Sequence, residues 1–112
     1  MRRYGVLILL SIATVALAAE TPLKVPSDPK AKYYVLEKSG AGTDRVILTK
    51  RVGPSGTSYS RRLYNCSNST FKYLADADTL EGLKKAKPDP KMGPLVEGSI
   101  SYYVGLEACK GQ

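Results

Sequence analysis

Arg45-Val46-Ile47-Leu48-Thr49-Lys50-Arg51-Val52, then Gly53-Pro54-Ser55-Gly56, then Thr57 through Cys66 form the stretch that decides the fold. The first run is rich in β-branched residues, which suit a pleated half-buried surface, and the Gly-Pro-Ser-Gly cluster is a strong turn signal. The chain is therefore expected to reverse at residues 53–56 and return as a second strand. In that return strand, period two puts Tyr59 and Leu63 on one face and Tyr64 and Cys66 on the other.

Working outward, Tyr33-Tyr34-Val35-Leu36 reads as a preceding strand that ends at the turn-forming Ser39-Gly40-Ala41-Gly42. On the other side, Asn65, Ser67, Asn68 and Ser69 make a polar turn. Thr70 to Ala75 supplies a fourth strand, with Phe71 and Tyr73 on one face. Four strands with short connections imply an antiparallel meander. Asp78-Thr79-Leu80-Glu81 has the form of a helix cap followed by a carboxylate three residues later, and Leu80, Leu83 and Lys84 continue at helical spacing until Pro88. Residues 87–98, with three prolines and two glycines, are expected to form an irregular loop.

Ser99 to Cys109 divides between two periods. With period two, Ile100, Tyr102, Val104, Leu106 and Ala108 share a face, which slightly favours a strand. As a helix, Ser99 is the cap and Tyr102, Leu106 and Cys109 stack along one side.

The N-terminus has the layout of a secretory signal. Arg2 and Arg3 precede an apolar stretch from Gly5 to Leu17, and Ala16-Leu17-Ala18 offers small residues for cleavage. The apolar stretch is shorter than the roughly 20 residues a bilayer core needs. Residues 1–18 are thus expected to be a cleaved signal peptide. Residues 19–31, with Pro22, Pro26 and Pro29 and no periodicity, are expected to be a flexible leader dispensable for folding, and 32–112 a single domain. No second apolar stretch is long enough to span a membrane, so the exported product is expected to be soluble.

The whole chain of 112 residues carries a formal charge of +7; without Arg2 and Arg3, 15 basic and 10 acidic residues remain. The only two cysteines, Cys66 and Cys109, lie in the exported part and are expected to form one disulfide rather than a metal site. The chain has no histidine, so the usual general base near neutral pH and the commonest zinc ligand are missing. Asp76 and Asp78 lack the further carboxylates of a calcium loop, and Ser55, Ser58 and Ser60 have no base partner. No catalytic residue, metal or cofactor is expected. Basic residues at Arg45, Lys50, Arg51, Arg61, Arg62 and Lys72 fall on three adjacent strands. They read either as a solvated face or as a patch for an acidic protein surface or anionic polymer, with Lys50, Arg51, Arg61 and Arg62 as candidate binding residues. Nucleic acid is not an expected partner of an exported chain. The tyrosines must largely serve as core, given one Phe and no Trp, which leaves two or three for contact.

Two short motifs carry a resemblance: Leu63-Tyr64-Asn65-Cys66, and Pro94-Leu95-Val96-Glu97-Gly98-Ser99 with Cys109 ten residues beyond the serine. In these the chain resembles the bacterial surface-adhesin protein E family of Gram-negative bacteria, over roughly Lys32 to Lys110. That family often carries tryptophan before its last element, and this chain has none. The resemblance implies an α+β fold, an antiparallel sheet with a C-terminal helix tethered by Cys66–Cys109. It turns the expectation for Ser99 to Cys109 from strand to helix. Together with the missing catalytic groups and the basic charge, it implies an exported, non-catalytic binding module at the periplasm or cell surface. Ser55-Gly56-Thr57-Ser58-Tyr59 has the look of a lysozyme-inhibitor motif, which makes a small periplasmic inhibitor the alternative.

Overall fold

The structure is a computed structural model and describes residues 20–111; the expected signal peptide, 1–18, lies outside the described residues. Its frame is an antiparallel sheet of six strands in chain order: β1 (Thr21–Leu23), β2 (Lys32–Ala41), β3 (Asp44–Gly53), β4 (Gly56–Asn65), β5 (Thr70–Ala77) and β6 (Gly93–Pro94). A short helix α1 (Leu80–Leu83) follows β5, and α2 (Ile100–Ala108) closes the fold.

The decisive hairpin forms as its residues dictate. Gly53 pairs with Gly56 across Pro54-Ser55, and the register runs from there to Asp44 opposite Asn65. Gly56 has φ +126°, a conformation only glycine adopts without strain. β2 runs on to Ala41 rather than ending at Leu36, and pairs with β3 through a bulge between Val35 and Glu37. After β4, the Asn65 side-chain oxygen accepts from the amides of Ser67 (3.0 Å) and Asn68 (3.3 Å), an Asx turn that reverses the chain into β5.

Each face of the sheet has its own core. Val35, Ile47 and Tyr64 pack under α2 against Val104 and Ala108, with Leu23, Phe71, Leu95 and Ile100 around them. Leu48 and Ala75 pack under α1 against Leu83, with Leu36, Tyr59 and Ala77 around them. Tyr59 and Tyr64 thus lie on opposite faces, as alternation along β4 requires.

Ser99 to Cys109 is a helix with its C-terminal cap at Cys109. The Ser99 hydroxyl accepts from the Tyr102 amide at 3.1 Å, which favours helical entry. Its buried face is Ser101, Val104, Gly105 and Ala108, not the expected Tyr102, Leu106 and Cys109; Leu106 is 54% exposed. The inward positions carry small side chains because α2 lies directly on the Tyr64 ring. A Cβ at Gly105 would come 2.7 Å from Tyr64 Cε2. The disulfide Cys66–Cys109, with Cα atoms 5.8 Å apart, ties the end of α2 to the turn after β4.

Two further expectations are corrected. α1 is capped by Thr79 rather than Asp78, since the Thr79 hydroxyl accepts from the Gly82 amide at 2.9 Å. The described part of 19–31 is not a free leader. β1 adds to the sheet edge with Pro22 opposite Tyr34, and Val25 is only 7% exposed. Proline is tolerated on an edge strand, so Pro22 does not prevent this pairing.

Candidate functional site

Period two along β3 and β4 separates the four candidate basic residues. Thr49 and Arg51 share a face with Ile47, while Lys50 shares the other with Leu48. Across the hairpin, Arg51 stands opposite Ser58, Lys50 opposite Tyr59, Arg61 opposite Leu48 and Arg62 opposite Ile47. Arg51 and Arg62 therefore lie on the α2 face, and Lys50 and Arg61 on the α1 face. The expected single basic face does not form.

Most of these cations are also neutralised. Lys50 Nζ is 2.6 Å from Glu20 Oε2 and 5.3 Å from the centre of the Tyr34 ring. Arg61 approaches Glu37 at 3.9 Å. Arg51 Nε donates to Asp28 Oδ2 at 2.8 Å, and the Tyr33 hydroxyl donates to the same oxygen at 2.7 Å. The Arg51 hydrogen bond, with that from Tyr33, holds the Asp28 carboxyl below its ordinary pKa, while burial and then the Asp28 bond push Tyr33 up to about 12. Arg45 serves the fold, its guanidinium donating to the carbonyls of Ala108 (3.3 Å) and Lys110 (3.1 Å) at the C-terminal end of α2. A cation at that negative end of the helix dipole is stabilising. Lys38 assists there through Glu107, at 3.1 Å.

Arg62 is different. It is 4% exposed, and its three side-chain partners among the described residues are all hydroxyls: Nε donates to Ser101 Oγ at 3.0 Å, Nη1 to Thr49 Oγ1 at 3.2 Å and Nη2 to the Tyr73 hydroxyl at 3.1 Å. The guanidinium also lies 4.7 Å from the centre of the Tyr73 ring. Among the described residues no carboxylate lies within 4.0 Å of it. A buried charge is costly unless it is paired, and five N–H donors need five acceptors. Among the described residues, two N–H groups, one on each terminal nitrogen, have no protein acceptor.

This guanidinium lines a hollow of about 180 Å³ on the α2 face. Thr49, Arg51, Ser58, Ser60 and Tyr73 surround it, with Tyr33, Asp76 and Ile100 completing the wall. Ser60 donates to Asp76 at 2.6 Å, which places a carboxylate on the wall. Ile100 is the first residue of α2, so the positive end of that helix faces the same region. The arrangement is suited to receive an anion. Among the described residues, no group of three or more Cys, Asp or Glu side chains is placed to hold a metal ion.

Of the candidate binding residues, Arg51 and Arg62 come together at this hollow; Lys50 and Arg61 do not. Arg62 is buried rather than part of the solvated or binding face expected for the basic residues. Alternation with Tyr64, two residues on and expected in the core, was the signal that it lies inside. Thr49, Tyr73 and Ser101 carried no sequence signal of their own, because they meet Arg62 only through pairing across strands and the seating of α2. Ser55-Gly56-Thr57-Ser58-Tyr59 forms the β3–β4 turn and the start of β4, where Ser58 reaches the hollow. No family model, curated protein or solved structure matches the chain.

Proposed function

We propose that the chain is an exported, non-catalytic binding module of the Gram-negative periplasm or cell surface that engages an acidic protein partner on the α2 face of its sheet. The observation that carries this reading is Arg62, a buried cation at the wall of an open hollow with no carboxylate of its own. Native structures rarely leave a charge so placed unless something pairs with it. Export is supported by the N-terminal pattern of Arg2 and Arg3, an apolar run and small residues, and by the Cys66–Cys109 bridge, since disulfides persist in oxidising compartments. Among the described residues no helix is long and apolar enough to cross a membrane.

The split of the basic residues between two faces, and their pairing with Glu20, Asp28 and Glu37, favours a discrete acidic surface over an anionic polymer. A polymer needs a continuous track of unpaired cations. The test is binding of the oxidised domain from Glu20 onward to a glutamate-rich peptide and to heparin, each over a range of NaCl. The peptide is expected to bind, to weaken with salt, and to lose affinity with Arg62→Lys. Failure of the peptide to bind at low salt, or binding indifferent to Arg62→Lys, would overturn the proposal, as would heparin binding tightly through Lys50 and Arg61 alone.

A further inference from the structure

From the geometry around Arg62 we infer that the hollow is a carboxylate subsite, one that takes a single carboxylate whose two oxygens meet the two free N–H groups of Arg62. It rests on the proposed binding role and names the group that the site recognises.

Three features select this chemistry. First, the guanidinium is fixed before any ligand arrives. Ser101, Thr49 and Tyr73 hold all three nitrogens, so the plane of the guanidinium is fixed with one N–H on each terminal nitrogen still to be paired. A planar fork matches two oxygens of one carboxylate, a match that an ammonium cannot make. Second, Arg62 lies beside the positive end of α2, where a buried cation is disfavoured and an anion is attracted by both. Third, the local charge balance limits how negative the ligand can be. Arg51 is already clamped to Asp28, and Asp76 contributes a carboxylate to the wall. Arg51 and Arg62 thus stand with two carboxylates, Asp28 and Asp76, so any further negative charge meets repulsion from Asp76, and a singly charged carboxylate meets less of it than a doubly charged phosphate. The hollow, at about 180 Å³, is far above the 10–15 Å³ needed for one water and leaves room for a carboxylate with its carbon stem.

The carboxylate can come from an acidic side chain or from the C-terminus of a peptide. The chemistry at Arg62 is the same. Two pentapeptides separate the sources, one with a central glutamate and an amidated end, the other with neutral side chains and a free C-terminus.

The experiment follows the Arg62 Nε–H resonance of the oxidised domain while sodium acetate is added, with sodium chloride at matched ionic strength as control. Acetate is expected to give a saturable shift that chloride does not, and inorganic phosphate a weaker one. Arg62→Lys cannot be read at that resonance, so its acetate affinity is followed at the Ser101 amide. It should fall about tenfold, as when one of two charge-assisted hydrogen bonds is lost. Ser58→Trp, which fills the hollow from a half-buried strand position without touching the Arg62 hydrogen bonds, should abolish the shift in a domain that still melts cooperatively. The inference is overturned if acetate and chloride act alike, if phosphate binds more tightly than acetate, or if Ser58→Trp leaves the acetate response intact. A glutamate-rich peptide that binds while acetate does not would leave the binding role standing and remove the carboxylate subsite.

Discussion

Replacing Gly105 by alanine sets two physical effects against each other, and the structure decides their order. In an isolated helix the change is favourable by about 1 kcal/mol, because alanine loses less backbone entropy and glycine is a poor helix former. Here the new methyl would lie 2.7 Å from Tyr64 Cε2, 3.1 Å from Cδ2 and 3.3 Å from a Leu95 methyl. Carbon atoms prefer separations of about 3.5–4.0 Å, so the helix or the ring must move by close to 1 Å. The ring cannot yield cheaply. Tyr64 is 1% exposed, stacks on Phe71 at 5.6 Å between centres, and donates its hydroxyl to the Ser101 carbonyl at 2.6 Å. Cys109, bonded to Cys66, restrains α2 at its far end. Overpacking of this kind costs about 1–3 kcal/mol, which leaves a net loss centred near about 1 kcal/mol after the helix-propensity gain. In a domain of this size that corresponds to a Tm lower by roughly 4–8 °C. Thermal unfolding followed by circular dichroism reads it directly. Gly93→Ala serves as control, because nothing lies within 4 Å of its Cβ position and its Tm should be within about 2 °C of the parent. A Gly105→Ala domain that melts at or above the parent would refute the seating of α2 on Tyr64.

Other outcomes follow from the same contacts. Cys66→Ser or Cys109→Ser opens a loop spanning 43 positions and should cost about 4 kcal/mol, read from urea unfolding; an unchanged midpoint would show that the bridge does not constrain the chain. A chain beginning at Lys32 loses β1, Val25 and the Asp28 clamp on Arg51, and burial of Val25 alone is worth about 1.5–3 kcal/mol, so its Tm should drop measurably; a Tm equal to the parent's would restore the view of a free leader. Asp28 has its folded pKa depressed below 3.8, so its stabilising contribution is present above that value and is lost as pH falls through the folded pKa. Asp28→Asn should therefore be less stable than the parent at pH 7, with the gap closing below about pH 4 in parallel urea titrations. At the alkaline end Tyr33, raised from 10 to about 12, and Tyr64, raised further still by burial, favour their neutral forms in the fold. Stability should fall from pH 10 upward, and a flat profile to pH 12 would contradict the burial of both hydroxyls.

Much of the sheet was legible because its signals are local. Gly53-Pro54-Ser55-Gly56 and the β-branched run before it specify a hairpin whatever else the chain does, and Asn65 to Ser69 likewise carry their own turn chemistry. α2 was ambiguous for a physical reason. Its buried face is Ser101, Val104, Gly105 and Ala108, chosen for size rather than hydrophobicity, while Tyr102 and Leu106 give the outer face an apolar look. A period count that scores hydrophobicity cannot register a face selected for close approach. β1 escaped because three residues at an edge, one a proline, are held by pairing to β2 rather than by their own pattern. The basic residues were visible as charges, but their roles depend on partners remote in sequence: Lys50 on Glu20, Arg51 on Asp28, Arg45 on the carbonyls of Ala108 and Lys110. The hollow was legible only to the extent that Arg62 alternates with Tyr64.

The order of the strands in space repeats their order along the chain. Every pairing is therefore between sequence neighbours, so loop-closure entropy is small at each step and the sheet can zip up hairpin by hairpin as the polypeptide emerges. The cover arrives last. Until residues 100–108 are available, Val35, Ile47 and Tyr64 present an open apolar surface, and Arg62 lacks the Ser101 hydroxyl that completes its setting. An incompletely emerged chain is thus a sticky sheet with an uncapped guanidinium, the kind of species that chaperones hold and that aggregates when they do not. The landing of α2 buries that surface, shapes the hollow and brings Cys109 to Cys66 in one event, so the finished hollow and resistance to misassembly are acquired together.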